Sequence, residues 1–389
     1  MRTVYTQIIS TFILAVGAGV QLAGTAAAVA TFSWTTTVLA HSAAAFSIAQ
    51  ICMLILLQKY TDLGARKKVS VLALTLMIGA SILLFVQLNN QKAWILFAAT
   101  RGAAYSVLTH YINSVLVKHA PSKYAASAFG WRYAALCGGS LAAPALLGIG
   151  IPLNLLPISL IAGYLGVATL VCYGPQPGKQ QVPPQRLRNI LVLILQTPWI
   201  WICSFCAGVL GEAPFYMAVE IGINAGLNSG IAQTVLIAML FGGFSLQPLI
   251  ARRLDARAKI GQGFAHIGIA LAVLSIILAI IANTVSSAFM PLALTAIAFL
   301  IGALTTSAAS AGSVMVTAGY EVTKRPSAIA LAMLLYFSGY WIGTRAMASA
   351  IEFAGAIGFA VVITATSLIL AVCSRIAGKN YEDNRLMTT

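Results

Sequence analysis

Lys59-Tyr60-Thr61-Asp62-Leu63-Gly64-Ala65-Arg66-Lys67-Lys68 and Ala251-Arg252-Arg253-Leu254-Asp255-Ala256-Arg257 are two versions of one basic stretch, each holding a single acid. Asp62 and Asp255 lie 193 residues apart in a chain of 389. Each stretch follows the second apolar run of a set of six. That spacing is the mark of an internal duplication, of the kind that builds a transporter from two six-helix repeats.

Working outward from these stretches, the chain divides into apolar runs long enough for lipid, which needs about 20 residues per helix. Twelve such spans can be drawn, over 7–30, 38–58, 69–89, 94–117, 126–149, 153–174, 198–221, 230–250, 262–284, 288–318, 327–350 and 354–376. With 60% hydrophobic and only 8% charged residues, the chain carries more apolar surface than a soluble fold could bury. The expected fold is an all-α polytopic membrane protein of twelve transmembrane helices in two pseudo-symmetric six-helix halves. Residues 1–174 form the N-terminal half, 175–197 a cytoplasmic linker, and 198–389 the C-terminal half with a short tail. The linker is rich in Pro, Gln and Gly, and 187–195 could lie along the inner surface as an interfacial helix. Arg2 precedes an apolar run that continues to Phe32 without a charge, longer than a signal peptide needs, so an uncleaved first span is expected.

The charges then fix orientation. Nineteen of the 23 Lys and Arg residues fall in alternate gaps or at the termini, while the opposite gaps hold only Lys92. By the positive-inside rule both termini are cytoplasmic, and a bacterial cytoplasmic (inner) membrane is the expected location. The net charge of +15 is therefore insertion charge facing anionic lipid, and nucleic acid is not an expected partner. Arg101, Arg132 and Arg345 fall inside spans and need another explanation; Arg132, close to the cytoplasmic end, can snorkel as an anchor. All six cysteines lie in apolar runs, and the Cys203/Cys206 pair has no second Cys/His pair to complete a metal site. No cofactor, metal or catalytic constellation is expected, and the chain reads as no enzyme.

The 59–68 stretch resembles the loop that the major facilitator superfamily carries between its second and third helices. That resemblance implies that Asp62, Arg66 and Lys67, with Asp255 and Arg257 in the repeat, form a breakable cytoplasmic gate. Arg101 in Ala98-Ala99-Thr100-Arg101-Gly102 stands where the family often has an arginine linked to proton coupling. Span 5 is similar to the family's antiporter signature through Gly130, Gly139, Ala143-Pro144 and Leu147-Gly148, with two of its glycines replaced by Ala143 and Leu147. Small residues there allow close packing and proline bends the helix.

Polar groups inside spans are the candidates for chemistry, because lipid makes them costly. The first half has no acid in any span; Gln21 lies mid-span 1, and Tyr105 follows Arg101 by one turn. His110 lies in span 4 with Ser106 and Asn113 on its side, and could titrate, bind substrate or serve as a hydrogen-bonded core residue. In span 7, Gly208, Glu212, Tyr216 and Glu220 recur every four residues, and Pro214 loosens that stripe. Glu212, near mid-membrane, is the expected proton carrier. Span 11 offers Tyr340, Trp341 and Arg345 as an anchor for an anionic or zwitterionic ligand, with Glu352 as the alternative partner of Arg345.

These features point to a secondary active transporter, with proton-coupled export of a small amphipathic, anionic or zwitterionic molecule as the expected activity. The lipid bilayer, a small-molecule substrate and protons are its expected partners, and a monomer is its expected state. Other readings are an uptake permease for a polar nutrient or siderophore, a lysophospholipid flippase suggested by Gly102-Ala103-Ala104-Tyr105-Ser106, and a non-transporting receptor or regulator.

Overall fold

The computed structural model describes residues 2–34, 37–59, 67–119, 124–173, 194–256, 259–284, 289–320 and 325–386. Asp62, Arg66, Arg257 and most of the expected linker lie outside the described residues. Among those described, all regular structure is helical. The helices are α1 (Arg2–Gly19), α2 (Thr25–Thr31), α3 (Thr37–Lys59), α4 (Lys67–Val86), α5 (Gln91–His119), α6 (Ala125–Gly148) and α7 (Leu155–Tyr173). They continue as α8 (Pro198–Gly211), α9 (Ala213–Asn224), α10 (Ser229–Asp255), α11 (Ile260–Thr284), α12 (Met290–Ala309), α13 (Ala311–Gly319) and α14 (Arg325–Leu386).

Three pairs are single spans with a local fault. A π turn at Val20–Gly24 joins α1 to α2, Glu212 interrupts α8 and α9 ahead of Pro214, and Ser310 separates α12 from α13. In α14 the break is complete: Ala354 and Gly355 leave helical geometry, Gly355 at φ 57°, and two spans meet there. A positive φ of that kind suits glycine, which lacks the Cβ that would clash. The result among the described residues is twelve membrane spans. Their ends differ from expectation chiefly on the basic side, where α10 stays helical through Arg252, Arg253 and Asp255, and α14 through Leu386.

The spans are apolar on both faces. In α4 the small Ser70, Ala73, Ala80 and Ser81 are buried together with Leu74, Met77 and Leu84, whereas Leu72, Leu76 and Leu83 are exposed. Lipid solvates large side chains as well as a core does, so close helix packing is left to small residues. Gly102 of α5 lies against the Phe46 backbone of α3, and Gly302 of α12 against that of Met239 of α10. The same pair of spans, second and fourth of each half, thus meets through glycine in both repeats.

The described chain forms two compact units. The first comprises 1–120, 135–186 and 322–334; the second comprises 121–134, 187–321 and 335–389. In the first, α5 packs on α1, α3 and α4, and α7 on α1 and α4. In the second, α12 packs on α8, α10 and α11.

Candidate functional site

In the first unit Arg101 is only 2% exposed. It stands in α5 one position before Gly102, whose missing side chain lets α3 approach closely enough for Phe46 to reach the guanidinium. The Arg101 Cζ lies 4.6 Å from the Phe46 ring centroid and 5.4 Å from that of Tyr105. Arg101 donates to the Gln21 carboxamide oxygen, which the π turn presents from the first span. The Tyr164 hydroxyl of α7 sits beside the same guanidinium, in space that Gly17 leaves open. Among the described residues of the first unit there is no carboxylate to balance this charge. Asp62 is the one acid of the first unit's sequence, and none of its spans contains one.

A second polar stripe of α5 lies on another side of the helix. Ser106 donates to the Gln50 backbone carbonyl at 3.2 Å, His110 is fully enclosed, and Asn113 donates to the Met333 sulfur at 3.1 Å. The Gln50 side-chain amide, His110 Nδ1 and Asn113 Oδ1 are buried without a protein partner, so water is their natural complement. The sequence marked His110; it did not mark Gln50.

In the second unit Glu212 sits at the α8–α9 break, with φ −125° and ψ −36°. The four-residue stripe expected through Gly208, Glu212, Tyr216 and Glu220 is therefore interrupted at its acid. Pro214 lacks the N–H that would bond the Leu210 carbonyl, and the helix yields there. Tyr336 of α14 donates to Glu212 Oε1 at 3.4 Å. Gly208 and Gly211 make that reach possible, since a Cβ on Gly211 would stand 2.6 Å from the Tyr336 hydroxyl. Tyr216 and Tyr340 stack nearby with ring centroids 5.6 Å apart, and Glu220 is exposed.

The other two span arginines separate. Arg345 is exposed, its Cζ 5.7 Å from the Trp341 ring, and no ion pair joins it to Glu352. Arg132 departs from its expected role as a snorkelling anchor: it is 4% exposed, packed by Tyr133 at 5.1 Å, while its neighbour Trp131 takes the exposed side. Sequence depth alone cannot give helix rotation, which is what buries it. Cys137, Cys203, Cys206 and Cys373 are buried, with Cys203 Sγ 3.6 Å from the Ser374 hydroxyl, whereas Cys52 and Cys172 are exposed. Among the described residues no cluster could hold a metal ion.

Of the residues expected at the gate, the two that are described, Lys67 and Asp255, have helix ends as partners. Both Asp255 carboxylate oxygens accept from the start of α6, from Ala126 N at 2.9 Å and Ser127 N at 2.8 Å, placing negative charge where the helix dipole favours it. Lys67 donates to the Cys172 carbonyl at the end of α7, at 3.1 Å. Within α6, Gly130 lies against Ala251 of α10 and Gly139 against the Phe12 carbonyl of α1; Pro144 lies inside the helix, which ends at Gly148. Asp255→Ala removes both charge-assisted bonds to that first turn. The expected loss is about 1–2 kcal/mol of stability, read as a lowered Tm, with Asp255→Asn falling between.

Residues 8–290 match the family model described as Major Facilitator Superfamily. No curated protein matches the chain in sequence. Among solved structures, the human organic anion transporter MFSD10 (TETRAN) is similar at 12% identity and TM-score 0.71, covering 97% of this chain and 99% of its own. The E. coli fucose:proton symporter FucP is similar at 15% identity and TM-score 0.71, with 97% and 98% covered. The proton:xylose symporter XylE, bound to 6-bromo-6-deoxy-D-glucose, is similar at 12% identity and TM-score 0.69, with 97% and 95% covered. Likeness at these identities is a likeness of fold. The repeated basic stretch, the twelve spans and a family match over most of the sequence have one meaning: this chain belongs to the Major Facilitator Superfamily and is a membrane transporter.

Proposed function

We propose that the transporter exports a small amphipathic organic anion or zwitterion in exchange for protons. It does so by alternating access of halves 1–174 and 198–389 about the 175–197 linker, as a monomer in a bacterial inner membrane with both termini cytoplasmic. Arg101 carries this reading. A guanidinium buried in a span costs several kcal/mol to desolvate, and no span of the first half contains an acid to offset it. An anionic substrate is the charge that the site lacks. Glu212 supports proton coupling, because it is a carboxylate within a span at a break in its helix, where it accepts from the Tyr336 hydroxyl. The antiporter-like span 5 supports exchange, and the nineteen basic residues of one side support the orientation.

The test is flux from proteoliposomes loaded with radiolabelled organic acids, with neutral sugars of similar size as controls. Efflux of acids that accelerates under an imposed pH gradient, with no response from the sugars, is the expected result. Gradient-driven transport of the sugars alone would overturn the anionic substrate. Net accumulation in energised intact cells would overturn the direction.

A further inference from the structure

The guanidinium of Arg101 is only partly satisfied. Its Nη1 donates to Gln21 Oε1, and the Phe46 and Tyr105 rings flank it, but its Nε is buried without an acceptor. The Gln21 Nε2 is also buried without an acceptor. Two residues that already touch each other therefore hold unused donors, in a place where an unmade bond is expensive. Their missing complement is an acceptor, and the charge of Arg101 makes it an anionic one.

Taking Arg101 as the substrate's anchor, we infer that Gln21 is a placeholder: its carboxamide oxygen occupies the guanidinium in the empty transporter and gives way to a planar carboxylate of the substrate. Arg101 then donates from the edge carrying Nε, and the Gln21 amide turns to donate as well. A guanidinium edge and a carboxylate match in plane and spacing, which favours a bidentate pair. One cation is neutralised by one monoanion. A phosphate dianion would leave an uncompensated negative charge in the same buried setting. The π turn at Val20–Gly24 supplies the movement. Gln21 is its second residue, and a π turn holds one residue more than an α turn, so a change of register swings the side chain while the span stays helical. Gly17, one turn earlier, leaves room for the guanidinium and the Tyr164 hydroxyl beside it: a Cβ there would lie 3.1 Å from Arg101 Nε and closer still to that hydroxyl.

The decisive variant is Gln21→Glu, which fixes a carboxylate where the substrate's would go. Thermal unfolding of the purified full chain is followed in monocarboxylates, in the matching carboxamides and in inorganic phosphate, at equal ionic strength. The wild type is expected to gain stability from carboxylates and not from carboxamides or phosphate. Gln21→Glu is expected to melt higher than the wild type without ligand, and to need roughly tenfold or more carboxylate for any response. A Gln21→Glu protein that melts lower, or responds to carboxylates as the wild type does, overturns the placeholder. So does a wild type that ignores carboxylates or responds equally to carboxamides. The underlying reading fails separately, if Arg101→Gln retains gradient-driven transport of organic acids.

Discussion

Arg101→Gln is expected to abolish transport of organic anions while leaving the fold as stable as before, or more so. The two halves of that expectation come from the same fact. Removing one member of a buried charge pair costs roughly 2–5 kcal/mol, and at about 1.4 kcal/mol per decade this is a loss of about 30-fold or more in substrate affinity. Among the described residues of its own unit no carboxylate depends on Arg101, because the spans of that unit contain none. A neutral side chain there relieves the desolvation cost, and what it gives up is the bond to the Gln21 oxygen and the contact with the Tyr164 hydroxyl. A structural arginine behaves in the opposite way, since its loss leaves an unpaired acid and lowers the Tm. Flux from loaded proteoliposomes and thermal unfolding of the same preparation therefore separate the roles. Retained flux with a lowered Tm would make Arg101 a packing residue.

The spans were legible because each has the length lipid requires, and the ends of α5, α6 and α11 fall within a few residues of the apolar runs. The basic ends were harder. Arg252 and Arg253 suggest a loop, yet Ala251 and Leu254 are buried and α10 continues to Asp255. Sequence placed Arg101 and Glu212 in spans by their cost in lipid, without access to their partners. Gln21 and Arg101 are 80 residues apart, and Glu212 and Tyr336 are 124 apart. Phe46, Tyr164 and Tyr336 looked like ordinary apolar filling, since an aromatic in an apolar run carries no signal of what it faces. The neighbouring glycines held the clue: Gly17, Gly102 and Gly208 each mark a point where one of those side chains or its backbone comes close. Arg132 eluded the reading because periodicity gives depth readily and rotation poorly when both faces are apolar.

Glu212→Gln is expected to uncouple transport from the pH gradient without destroying passage of substrate. Eight acids occur in the sequence, and few lie in spans. Glu220 and Glu352 are exposed, and Asp255 is committed to the first turn of α6. Glu212 differs from all of these in being partly buried at a helix break, where the chain can move without first breaking a regular turn. A proton carrier in a span must change charge as it passes between environments, because the ionised form is penalised in the apolar one. Glutamine keeps the size of the side chain and an oxygen for the Tyr336 hydroxyl, but its charge cannot change. Acceleration of flux by an imposed gradient should vanish, while exchange of labelled for unlabelled substrate at equal pH should persist. Loss of both would make Glu212 part of the binding site and not the coupling site. Full gradient-driven transport in Glu212→Gln would remove it from the cycle, and the proton would need a carrier that is not a mid-span carboxylate.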